Sequence, residues 1–142
     1  MLAPITLPRA CRSLVVLVAG ALASCATTSP HGCGADEQSM VTTTLYFGTA
    51  KAVGVVGNEE WLAFLAEVVT PRFPQGLTVT DASGQWRAAN GGIVRETSHA
   101  LTLVHPDDAA SDRAIDEIVA RYKSDFEQEA VLRTHSPSCV SF

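Results

Sequence analysis

The sequence predicts an α+β domain of order βαββαβ, the ferredoxin-like split arrangement in which a four-stranded antiparallel sheet carries two helices on one face. Three observations point there. Runs rich in β-branched and aromatic residues alternate with two apolar stripes of helical period. The chain shows no internal repeat and too few strand-like runs for a barrel or sandwich. Its 142 residues, 46% apolar and 18% charged, suffice for one core and not for two.

Residues 41–47 form the first strand by composition and stop at Gly48. Asn58 can cap the first helix, with Glu59 and Glu60 in its first turn and Trp61, Phe64, Leu65 and Val68 as its buried stripe. Pro71 and Pro74 end it, with Phe73 between them. Residues 77–80 make the next strand. Asp81-Ala82-Ser83-Gly84 has turn chemistry and reads as a bulge or kink before the strand-like residues 85–87. Asn90-Gly91 signals a hairpin, and residues 93–104 are the long return strand. The stretch from His105 to Asp108 opens the second helix with an Asp as cap. Its buried face is Ile115, Ile118, Val119, Tyr122 and Phe126, and Glu117 and Arg121 pair one turn apart on the other side. Residues 129–134 supply the last strand.

Strand alternation sends Leu45, Phe47, Leu77, Val79, Leu101 and Leu103 toward the helices. Thr42, Thr44, Tyr46, Thr78, Thr80 and Thr102 then cover the opposite face. Two readings of that face stand: a solvated open sheet, or a docking surface for a second copy or a ligand.

Residues 1–24 carry Arg9 and Arg12 as their only charges, followed by an apolar run too short to span a bilayer. They read as an export signal. Leu22-Ala23-Ser24-Cys25 resembles a bacterial lipobox, which makes Cys25 the expected site of lipidation; cleavage after Ala23 by the A-x-A pattern is the alternative. Ala26 in place of Asp points, in a Gram-negative host, to the outer membrane facing the periplasm. Residues 25–40 read as a flexible tether to a single domain at 41–142. The expected location is therefore the cell envelope, with the membrane engaged through the lipid anchor.

Cys11 leaves with the leader, so Cys33 and Cys139 remain in the domain and its approach. In the split topology the first strand begins where the last one ends. Both cysteines therefore fall at one end of the sheet, where export favours a disulfide between them. Two free thiols are the alternative.

Eight Lys/Arg against fifteen Asp/Glu after the leader give a charge of −7, which excludes nucleic-acid binding and charge-driven membrane binding. A candidate binding set gathers at the hairpin, where Trp86, Arg87, Arg95 and Glu96 join an indole to an anion-binding pair; Arg72 and Tyr46 complete it. The alternative is an internal ion pair covering a half-buried Trp86. His31 with Cys33, and His105 with Asp107, Asp108 and Asp112, fall short of a closed ligand set, so neither metal nor cofactor is expected. No nucleophile elbow, phosphate loop or catalytic triad appears.

Tyr46-Phe47-Gly48, Trp61-Leu62-Ala63-Phe64, the segment from Thr70 to Val79, Gly84-Gln85-Trp86, Arg95-Glu96, the run from Tyr122 to Phe126 with Gln128, and the closing Cys139-Val140-Ser141-Phe142 resemble a bacterial family of exported proteins, domain of unknown function 3574. The resemblance implies export, a small α+β domain and a cysteine near the C-terminus, and no activity. The functional expectation is a tethered binding domain that engages an envelope partner or forms a homodimer. The alternative is a small dimeric α/β-barrel-type enzyme with a pocket between sheet and helices, lined by Tyr46, His99 or Trp86. A small anionic or sugar-like ligand at Arg72, Arg87 and Arg95 is a third possibility.

Overall fold

A computed structural model describes residues 32–142. The expected signal peptide, Cys25, His31 and the tether as far as residue 31 lie outside the described residues, while residues 38–40, expected as tether, already belong to the first strand. The elements are β1 (Gln38–Gly48), α1 (Asn58–Phe64) continued by a π-helical turn (Leu65–Val69), β2 (Thr78–Arg87), β3 (Ile93–His105), α2 (Ala109–Asp125) and β4 (Leu132–Val140). The four strands lie in the order β2-β3-β1-β4, all antiparallel. This is the ferredoxin-like split topology. Among the described residues no helix is long and apolar enough to cross a membrane.

The core lies between the sheet and the two helices. Leu45, Phe47, Leu101 and Leu103 are fully buried there, and Leu77 and Val79 pack against its margin. Its centre is aromatic: the Phe47 ring lies 4.5 Å from Tyr122 and 5.4 Å from Trp61. Such pairs add to the burial of their area. The π-helical turn, marked by the bond from Thr70 N to Leu65 O, turns both Val68 and Val69 into this core. Thr43 and His105 bring polarity inside and satisfy each other: His105 Nδ1 donates to the Pro106 carbonyl, and its Nε2 pairs with the Thr43 hydroxyl at 2.8 Å.

Several local expectations are corrected. Gly57, not Asn58, caps α1; Glu60, one turn inside, accepts from Gly57 N at 2.8 Å and holds Lys51 at 2.9 Å. The Asp81–Gly84 stretch is not a bulge, because β2 keeps a single register against β3 from Thr78↔Thr102 to Arg87↔Ile93. Turn-forming residues here yield to continuous pairing. Glu117 does not pair with Arg121: it binds Arg72, in the turn that follows the π-helical segment, at 3.0 Å, while Arg121 binds Asp125 at 3.0 Å. The last strand starts three residues later than composition suggests and runs to Val140. Glu127, at φ 55°, turns the chain out of α2, and residues 129–131 are spent on the connection.

β4 is an edge strand, and Pro137 sits in it opposite Val41, where an edge tolerates a residue without an N–H. Its end lies beside the start of β1, with Cys139 opposite Ser39. Cys33 reaches it through the turn at Gly34–Glu37 and forms the disulfide, with the two Cα atoms 5.4 Å apart. Asp108 caps α2 by accepting from Ser111 N at 2.7 Å, and this bond lowers its carboxyl below the usual aspartate range.

Two consequences are measurable. The disulfide closes a loop of 106 residues. Replacing both cysteines by serine is expected to cost roughly 2–5 kcal/mol in urea unfolding, and an unchanged midpoint would show that strand pairing alone secures the ends. Burial, helped by Glu96 and Glu60, pushes the Tyr122 phenol above its ordinary 10.0. The folded state then keeps a proton that the unfolded chain releases, so this contribution is whole below about pH 10 and is lost as pH rises past it. Tyr122→Phe is expected to flatten the alkaline fall in stability, measured as urea midpoints from about pH 9 to 11.

Candidate functional site

The helices leave one face of the sheet uncovered, and its side chains are graded in size. Ala82 stands opposite Ser98 across β2 and β3, and Ser98 stands opposite Gly48 across β3 and β1. This row of small side chains, with Gly84 beside it, makes a floor. Trp86 rises on the β2 side, and Tyr46 with its cross-strand partner Leu132 on the other. Tyr46 and Trp86 are each 38% exposed and Leu132 61%. With the α2–β4 connection at Gln128–Val131, these groups enclose a cleft of about 540 Å³.

The wall at Trp86 is held. Its Nε1 donates to Glu96 Oε1 at 2.8 Å, and Glu96 Oε2 accepts from Ala50 N at 3.0 Å. The Ala50 carbonyl accepts from Gln128 Nε2 at 2.6 Å, and the Gly48 carbonyl accepts from the buried Tyr122 hydroxyl at 2.9 Å. The turn after β1 is therefore gripped from the open face, from the end of α2 and from the core. A Cβ at Gly48 would stand 2.6 Å from Glu96 Oε1, so a larger residue there would push the carboxylate off Trp86 and Ala50. Gly84 differs: a Cβ there meets nothing within 4 Å, so the space above it belongs to the cleft.

The structure brings Tyr46, Trp86 and Glu96 together and leaves the arginines apart. Arg87 and Arg95 share strand parity with the helix-side residues, on the face opposite Trp86 and Glu96. Arg87 Nη1 donates to the Gly91 carbonyl at 3.0 Å. Arg72 sits at the other end of β2, donating to the Val68 carbonyl at 2.7 Å as well as to Glu117. The anion-binding cluster expected of Arg72, Arg87 and Arg95 does not form.

His99 lies on the helix side, stacked on Trp61 at 4.5 Å and paired with Asp81 at 2.9 Å. It does not share a pocket with Tyr46 and Trp86, and the aromatic core fills the space between sheet and helices where such a pocket was expected. A larger cavity of about 670 Å³ lies at the opposite end of the sheet, bordered by Met40, Phe73, Val104 and Phe142. Its one arginine, Arg72, is already bound. Glu37 lies within 4.8 Å of the Cys33 and Cys139 sulfurs, the one grouping of potential ligands this close among the described residues. Joined sulfurs are not thiolates, so the set lacks the donors a metal needs.

Gln128, Leu132 and the small floor were not foreseen as site residues. The floor's signal was present as small side chains, Ala82 and Gly84 at alternate positions on one strand and Ser98 on its neighbour, while Gln128 and Leu132 carried none.

The family model described as protein of unknown function (DUF3574) matches residues 42–142, most of the chain. The chain belongs to this family. No curated protein matches the sequence. Among solved structures, a phage SAM lyase in complex with S-methyl-5'-thioadenosine superposes with a TM-score of 0.55 at 12% identity, covering 81% of this DUF3574 member and 97% of the lyase. The same lyase in its apo state gives 0.50 at 12% identity, over 73% and 90%. CutA from Synechococcus elongatus PCC7942 with a Bis-Tris molecule gives 0.49 at 13% identity, over 74% and 87%. At these identities the likeness is one of fold.

Gly48→Ala is expected to lower stability by about 1–3 kcal/mol, because the added methyl displaces the Glu96 carboxylate. It should also loosen Trp86, read as stronger acrylamide quenching of fluorescence. Gly84→Ala, which meets open space, should change neither.

Proposed function

We propose that this DUF3574 protein is an exported lipoprotein, acylated at Cys25, whose domain binds a small molecule in the open-face cleft. The observation that carries the binding reading is the cleft itself: a floor of small side chains between a fixed indole and the Tyr46–Leu132 pair. Its volume of about 540 Å³ is that of a small-molecule pocket rather than a flat docking surface. The leader, the lipobox-like boundary and the disulfide support export.

Mass spectrometry of the mature protein is expected to show a lipid-modified Cys25 as its first residue; an unmodified start after Ala23 would remove the anchor. A thermal-shift screen of small aromatic compounds, with S-methyl-5'-thioadenosine among them, is expected to give stabilising members whose effect disappears in Gly84→Leu. The Cβ of that substitution meets nothing within 4 Å, and the rest of the side chain extends into the cleft that Gly84 lines. A screen with no stabilising member, or with effects that survive Gly84→Leu, would overturn the reading. Dimerisation in size-exclusion that Gly84→Leu abolishes would instead assign the same face to a second copy.

A further inference from the structure

We propose that the ligand of this cleft is a small organic cation, an ammonium or sulfonium joined to a flat apolar group; this rests on reading the cleft as a small-molecule site. The charges around it decide the sign. Of the ionisable acids and bases lining it, Glu96 stands on the open face and Glu129 is exposed at the rim. Arg133 is the one base among them, and its guanidinium points to the helix side, where Nη2 binds Asp112 at 2.6 Å and Nη1 binds Asp116 at 3.2 Å. The nearby Lys51 is likewise drawn away, to Glu60 at 2.9 Å. Among the described residues, the charge that Arg133 brings to the cleft is taken up by Asp112 and Asp116, which leaves Glu96 and Glu129 to set its sign.

Glu96 keeps capacity for a ligand. Trp86 and Ala50 each take one of its acceptor positions, and a carboxylate offers about four. Trp86 adds a second means of recognition. The residue is 38% exposed and its indole is anchored at Nε1 on Glu96, which limits the ring's orientation at the cleft wall. An indole face attracts a cation, and a flat apolar group can lie between it and Tyr46 on the small floor. An anionic ligand would meet Glu96 and Glu129, with the one lining base, Arg133, already committed to Asp112 and Asp116.

The test uses three probes of matched shape: benzyltrimethylammonium, benzyl alcohol and phenylacetate, titrated against the mature protein by ligand-observed NMR. The cation is expected to bind about tenfold more tightly than the alcohol, and phenylacetate more weakly than either. Glu96→Gln should narrow the preference for the cation over the alcohol by about that tenfold, a ratio from which any loss common to both through the Trp86 wall cancels. Because Glu96 also holds Trp86 and Ala50, a second arm leaves it intact: Glu129→Gln and added salt should each weaken the cation alone. Equal binding of all three probes, tighter phenylacetate, or cation binding indifferent to salt and to both substitutions would overturn the charge assignment while leaving the cleft a ligand site. Binding by none of the three would overturn the cleft reading along with it.

Discussion

The hold on the turn at Gly48–Ala50 organises both sides of this domain. Tyr122, deep in the helical layer, binds the Gly48 carbonyl; Glu96, on the open face, binds the Ala50 amide; Gln128, at the exit of α2, binds the Ala50 carbonyl. One short stretch thereby joins core packing to the geometry of the cleft. The carboxylate that secures the backbone also orients the Trp86 indole. Unmaking the Tyr122 bond would leave a buried hydroxyl unpaired, a larger penalty than the loss of the two exposed bonds at Ala50.

Much of the architecture is legible in the chain because burial and period agree. Leu45 and Phe47 on β1, Leu101 and Leu103 on β3, and Ile115, Ile118 and Tyr122 on α2 announce their faces by spacing alone. The disulfide follows from topology once the strand order is granted. Where local chemistry and pairing disagree, pairing prevails. Asp81–Gly84 looks like a turn yet stays in register, and Ser136-Pro137-Ser138 looks like a tail yet forms the edge strand beside β1. The candidate site was legible in part. Tyr46, Trp86 and Glu96 stood out as chemically expressive residues, but a sequence does not say which strand face an arginine shares with an indole unless the register is known.

The acidic balance of the chain takes on meaning through the way its few bases are used. Arg72, Arg121 and Arg133 are engaged with carboxylates of α2, and Arg87 with the hairpin backbone. Exposed pairs of this kind add little stability. Their effect is positional, since they draw guanidinium groups toward the helical layer and leave the opposite surface to Glu96 and Glu129.

Pro137 has a consequence for neighbouring copies of the domain. An open sheet has two borders, and growth into a fibre requires that each accept a new strand. At the β4 border the row of hydrogen-bond donors is broken by an imino residue, and the end of that strand is covalently stapled to the chain's entry. Strand addition is thereby disfavoured at the β4 border, so that the sheet does not offer two equivalent edges to its neighbours.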